Sequence, residues 1–274
     1  MKISIITINY NNREGLARTL ASVAEQTCRD FEYIIIDGGS TDGSVEEIQH
    51  HAAIIDYWVS EPDGGIYNAM NKGIVLAKGE YLNFMNSGDC FACEETLGGV
   101  FFKDRTADIL CGFVMMGHLN GRLYWHRTLK NQFYWYDLFY DSLPHQAAFI
   151  KRSMFAKAGM YDEQLRIISD WKWFITAILY NQASYEFIPY KVAIMQEGGI
   201  SQTVDTKSES EVITIRTDLF PDFLTKEDAM NLYKMSIINS FRLTRFLFRI
   251  VISLAVRMLS IRKKILSHRL SADF

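Results

Sequence analysis

Runs of β-branched and aliphatic residues alternate with amphipathic stretches over the first 115 residues. Residues 3–8 and 33–36 are continuous apolar runs of strand length, and 13–26 between them repeats its apolar positions at helical spacing, which predicts strand, helix, strand. The same pattern predicts strands at 55–59, 80–85 and 108–114 and helices at 44–49 and 67–77. Strands apolar along their whole length are buried on both faces. Alternating with helices, they imply an α/β class, a Rossmann-like, mostly parallel sheet flanked by helices. Beyond residue 115 the pattern is less regular. HLNGRLYWHR (118–127) predicts a hairpin turning at Asn120-Gly121, 153–158 and 170–180 predict helices, and 185–188 and 191–195 predict short strands. No repeat or low-complexity linker interrupts residues 1–215, which read as one unit, with residues 216–274 an appended helical segment.

In such sheets ligands bind beyond the carboxyl ends of the strands. The loops there are TINYNN (7–12), DGGSTDGS (37–44), SEPDGGIYNAMNKG (60–73) and NSGD (86–89), three of them carrying Asp. Each alone is ordinary turn chemistry, since Gly tolerates positive φ and Asn, Ser and Asp bond their own backbone. NSGD therefore has two readings: a turn only, or a turn that also fixes Asp89 as a cation ligand at the end of a central strand. Four such loops on one sheet edge supply more acceptors than turns require. No G-x-G-x-x-G follows the first strand and no P-loop motif exists. A nucleotide read by carboxylate and amide groups, with its diphosphate held by a cation, fits the loops.

The ordered set Thr7-Ile8-Asn9-Tyr10, Asp37-Gly38-Gly39-Ser40-Thr41-Asp42-Gly43-Ser44, SEPDGGIYNAMNKGI, Asn86-Ser87-Gly88-Asp89 and Ile168-Ser169-Asp170 resembles the family 2 glycosyltransferases of GT-A fold, over roughly residues 2–200. The resemblance implies a single inverting displacement that moves a sugar from a nucleotide-sugar donor to a glycan or lipid-linked saccharide in surface-polysaccharide synthesis. It implies a nucleotide-sugar-binding half (1–110) and an acceptor-binding half (111–215). Asp37 matches the aspartate that accepts from the imide of uracil, with Thr7, Asn9 and Tyr10 at the first-strand end beside the base. Gly38, Asp63, Gly64, Lys72, Asn86 and Ser87 fall in the implied donor site. Asp89 matches the last position of a D-x-D-like motif for Mn²⁺ or Mg²⁺, and Asp170 matches the general base. His145 and Gln146 match an acceptor-side pair, although a histidine there is equally a satisfied core residue. Trp171 offers a platform for an acceptor sugar, whereas Trp173 reads as packing. Two departures stand out: Asn86 replaces an acid common in relatives, which leaves Asp89 as the one firm ligand, and Asn68 stands where Asp is usual. A catalytically silent nucleotide-sugar-binding module, recruited to the membrane by its last helix, is the alternative those departures allow.

With 49% hydrophobic and 14% aromatic residues, the 274-residue chain can build a large core. Its start, MKISIITINY, turns polar too early for a secretory signal, which predicts a cytoplasmic body. Cys90 and Cys93 lack the second close pair of a zinc site and read, with Cys28 and Cys111, as free small apolar residues. Charge adds a division. Residues 235–274 carry eight Lys or Arg and one Asp, so residues 1–234 hold the remaining 21 of 29 basic and 31 of 32 acidic groups. Across residues 241–270 no stretch of about 18 uncharged apolar residues exists, which argues against a spanning helix. In helical projection Arg242, Arg245, Arg249, Arg257, Lys263 and Lys264 fall within an arc of about 120°. Such a stripe beside an apolar face suits a helix lying on an anionic membrane, here the cytoplasmic face, or packing on the domain or in a homodimer. The acidic body argues against nucleic acid as a partner.

Overall fold

The computed structural model describes residues 2–117, 123–125, 137–140, 142–196 and 206–220. The first half runs β1 (Ile3–Asn9), α1 (Arg13–Ala24), β2 (Phe31–Asp37), α2 (Ser44–His50), β3 (Tyr57–Ser60), α3 (Ile66–Leu76) and β4 (Tyr81–Phe84). There follow β5 (Cys90–Phe91), α4 (Thr96–Val100), β6 (Ile109–Gly117), β7 (Leu123–Trp125), α5 (Asp137–Tyr140), a 3-10 turn (His145–Ala147) and β8 (Ala148–Lys151). The rest is α6 (Arg152–Ala158), α7 (Ser169–Ile175) continued by a π-helical segment (Thr176–Tyr180), β9 (Tyr185–Gln196) and α8 (Thr206–Leu219).

One sheet joins the nine strands of the described residues in the order β3-β2-β1-β4-β8-β6-β9-β5, with β7 beside β6. Its first four strands are mutually parallel, as crossovers through α1, α2 and α3 require. β8 enters antiparallel between β4 and β6, so the second half is mixed. Every residue of β1 and β4 is buried. Because successive side chains point to opposite faces, both faces of the sheet centre are covered.

The two short strands expected at 185–188 and 191–195 are one strand. Phe187 pairs with Cys111 and Lys191 with Phe113, so residues 188–190 bulge opposite Gly112. Pro189 sits in that bulge, where its missing N–H breaks no ladder bond. β7 pairs with β6 through Met115 and Trp125, while the expected turn at Asn120-Gly121 lies outside the described residues. So does the basic segment 235–274; α8 runs across the boundary expected between residues 215 and 216.

An aromatic cluster fastens the second half to β4. Phe84 packs on Tyr161 at 5.5 Å between centroids, and Phe155 stacks on Trp173 at 4.6 Å. Trp173 is thus a packing residue, its indole N–H donating to Gly159 O at 2.7 Å. Each such ring pair contributes about 0.5–1.5 kcal/mol beyond burial. They seat α7, which carries Asp170, against the central strand.

Candidate active site

Because β1, β2, β3 and β4 are parallel, Asn9, Asp37 and Ser60 are in register at one edge of the sheet. Asp37 is fully buried. Its Oδ1 accepts from Asn9 Nδ2 (2.7 Å) and Ser40 Oγ (2.6 Å), and its Oδ2 from Ser60 Oγ (2.6 Å), Ser40 N (2.9 Å) and Gly39 N (3.2 Å). Burial alone would raise its carboxyl, but the hydrogen bonds from Ser40, Ser60 and Asn9 prevail and hold it below the usual range. Asp37 therefore knots three loops together, and Asn9 Oδ1 is left buried without a protein partner. Thr7 lies deeper, its hydroxyl donating to Met85 O at 2.7 Å beside the Tyr33 hydroxyl. Tyr10 is 67% exposed at the mouth.

Gly38 brings the third loop in. A Cβ there would lie 2.9 Å from Asp63 Oδ2 and 3.1 Å from Tyr10 Cδ2, so glycine is what lets Asp63 approach. Asp63 Oδ1 accepts from Gly65 N (2.8 Å), and Lys72 pairs with Glu61 (2.7 Å). Asn68 accepts from Gly64 N at 3.1 Å and donates to Glu163 at 2.8 Å. An Asp at that position would set two carboxylates against each other, a physical reason for the amide in this chain.

The 86–89 loop is a turn with Gly88 at φ 106°, pinned by α1. Thr19 Oγ1 donates to Asp89 O (2.7 Å) and accepts from Gly88 N (3.0 Å), and Asn12 Nδ2 donates to Ser87 O (3.1 Å). Asp89 is only 8% exposed. Burial pushes its carboxyl up to about 6, against the opposing pull of His145 and a hydrogen bond from Gln146. A buried carboxylate held so high, near an Asn86 Oδ1 that is buried without a partner, is a donor set deficient in positive charge. It fits a divalent cation. Among the described residues no cluster of three or more His, Cys, Asp or Glu could hold a metal unaided. The arrangement thus suits an ion that takes one carboxylate from protein and the rest from substrate and water.

Asp170, in the first turn of α7, meets both halves of the molecule. Its Oδ2 lies 3.0 Å from His145 Nδ1, and its Oδ1 accepts from the Tyr67 hydroxyl of α3 at 3.1 Å. The side chain keeps 15% exposure, so it opens to solvent on one side. His145 Nε2 faces the Asn86 amide at 3.2 Å. With Nδ1–H donating to Asp170, Nε2 accepts from Asn86, so neither ring nitrogen is free to act as a base. Burial lowers the imidazole pKa, but Asp170 and then Asp89 raise it above its ordinary value. Asn83, buried on β4, donates to Gln146 O and Ala148 O, both at 3.0 Å, and fixes the turn that carries His145.

Trp171 is 5% exposed, with its indole N–H donating to Leu138 O at 2.6 Å and the Arg216 guanidinium 5.6 Å above its ring. Its contacts are within the protein. Tyr67, Thr19, Asn83 and Ser60 were not legible in sequence as site residues. Ser60 and Tyr67 had one signal, their place in the 60–73 loop expected to meet the ligand.

The model of the family described as Glycosyl transferase family 2 matches residues 4–163. An uncharacterized glycosyltransferase of Mycobacterium tuberculosis is 37% identical over 192 residues, covering 65% of this chain and 69% of the relative. A PGL/p-HBAD biosynthesis glycosyltransferase of Mycobacterium bovis is 30% identical over 223 residues, 79% and 85% of the two chains. Among solved structures, S. aureus TarS 1–349 in complex with UDP-GlcNAc superposes with a TM-score of 0.64 at 19% identity, over 84% of this chain and 69% of that one. The match spans 41% of a longer TarS chain. A Pyrobaculum calidifontis mannosyltransferase in complex with GDP-Man and Mn²⁺ gives 0.56 at 13% identity, over 96% and 88%.

Proposed function

The chain belongs to glycosyltransferase family 2, an α/β transferase of GT-A-like fold, and we propose that it is a metal-dependent inverting enzyme using a UDP-sugar. The acceptor is a hydroxyl of a glycan or lipid-linked saccharide of the cell surface. Supporting this reading above all is one juxtaposition: Asp170 and the buried Asp89 interact with the same imidazole, His145, at the carboxyl edge of the sheet.

In this reading Asn9, Tyr10 and the Asp37 knot frame the base, while Gly38, Asp63, Gly64 and Lys72 line the donor. Asp89, with Asn86 and Ser87 beside it, would hold Mg²⁺ or Mn²⁺. The ion, when bound, supplies Lewis-acid stabilisation of the charge growing on the leaving group. Asp170 removes the proton of the acceptor hydroxyl as that oxygen attacks the anomeric carbon. The C–O bond to the diphosphate breaks with its electron pair, and no covalent intermediate forms. His145 and Tyr67 keep the carboxylate aimed, and Gln146 orients Asp89.

The UDP preference draws support from TarS complexes with UDP and UDP-GlcNAc, and the mannosyltransferase complex makes GDP-mannose the competing donor to test. Purified protein with Mn²⁺ or Mg²⁺ is expected to turn over a UDP-sugar in a donor panel, and both Asp89→Ala and Asp170→Asn to lose at least about 100-fold in kcat. Full turnover by both variants would remove this mechanism.

A further inference from the structure

Tyr67 lies in the donor-side segment, 103 residues before Asp170, yet its hydroxyl reaches both Asp170 Oδ1 and the carbonyl of Ile167. A phenol has one proton to donate, so it serves one of these acceptors at a time. A carboxylate is a stronger acceptor than an amide carbonyl, and a carboxylic acid a weaker one. We propose that Tyr67 is a positioning residue whose hydroxyl donates to Asp170 while that carboxylate is ionised and turns to the Ile167 carbonyl once Asp170 has taken the acceptor's proton. The inference rests on Asp170 being the base, as proposed above.

The balance of the step is simple. The acceptor O–H bond breaks, the proton goes to Asp170, and Tyr67 keeps its own proton throughout, exchanging only the atom it points to. Because burial, with the nearby Asp170 charge, raises the phenol well above its ordinary range, it does not compete as an acid. Without a second acceptor, a buried phenol would be orphaned each time the base became protonated, at a cost comparable to a lost hydrogen bond. Ile167 removes that cost, so both protonation states of Asp170 are supported from one side while His145 holds Oδ2 in both. The geometry also ties the donor segment to the base, since α3 carries Tyr67 and opens directly after Asp63 and Gly64.

Tyr67→Phe tests this while leaving the ring packed on Tyr161, 5.7 Å away between centroids. The expected result is a fall in kcat of about ten-fold or more, the range for a hydrogen bond to a charged group. Acceptor KM and UDP affinity by calorimetry should stay within about two-fold, and the melting temperature should stay close to wild type. Wild-type kcat, or a loss carried by KM or UDP affinity, would overturn the proposal. Asp170→Asn separates the two ideas: full turnover there removes the base itself, whereas an inactive Asp170→Asn beside a full-speed Tyr67→Phe removes only the role of Tyr67.

Discussion

Burial raises the Asp89 carboxyl to about 6 because the charged form gives up water that a nearby imidazole and hydrogen bonds from the Gln146 side chain and the Gln196 backbone only partly replace. The folded chain therefore binds a proton there more tightly than the unfolded chain, whose aspartate titrates near 3.9. The Asp89 contribution to metal-free stability is fully present below about pH 4. It declines as pH rises through about 6. At neutral pH the ionised form costs on the order of 2 kcal/mol. Asp89→Asn, which keeps the shape and drops the charge, is expected to raise the melting temperature in chelator at pH 7.5 while abolishing turnover. It should also flatten the decline in stability between about pH 4 and 7. A variant less stable than wild type in chelator at that pH would contradict the charge deficit on which the cation assignment rests.

The loop bearing Asp89 is held less by its own turn than by one hydroxyl on α1. Thr19, fully buried, satisfies both Gly88 N–H and Asp89 C=O. Thr19→Val preserves the volume and orphans both groups, for an expected loss of about 1–3 kcal/mol. The same change should raise the Mn²⁺ concentration for half-maximal turnover, measured by metal titration. Equal metal dependence in the variant would show that the turn holds itself. Such links mark the boundary of what sequence alone reveals. β1, β2 and β4 were legible because an apolar run of strand length is a local signal, and the ligand loops because turn residues stand at their ends. β5, with two residues, and β8, with four, are too short to carry a period, and Pro189 split β9 into two apparent strands. Asp170 was legible only through the family motif, Tyr67 only as a member of the donor-side loop, and Asn83 not at all. Their chemistry depends on partners 103 and 63 or more residues away, and no local spacing encodes that.

Over the whole molecule net positive charge is concentrated in residues 235–274, and the last described helix lies on the loop before Asp170. Glu211 of α8 accepts from Arg166 N at 2.8 Å and Ile167 N at 3.3 Å, which clasps the loop before Asp170, and Arg216 lies over Trp171. The described chain thus reaches residue 220 from a helix fixed against the loop before Asp170, and the basic 235–274 segment follows in sequence. With about 1 kcal/mol available per Lys or Arg near an anionic surface, eight such groups suffice for reversible peripheral binding. The attraction falls off within a Debye length, about 10 Å at 0.1 M salt. The full chain is therefore expected to float with vesicles rich in anionic lipid, less so as salt rises, and not with neutral vesicles. Removal of residues 235–274 should abolish flotation yet leave turnover of a water-soluble acceptor within a few-fold, since every site residue named above lies before residue 220. Equal flotation of the truncated chain would place the membrane contact elsewhere. Flotation lost together with turnover on a soluble acceptor would instead assign the tail to packing against the catalytic domain.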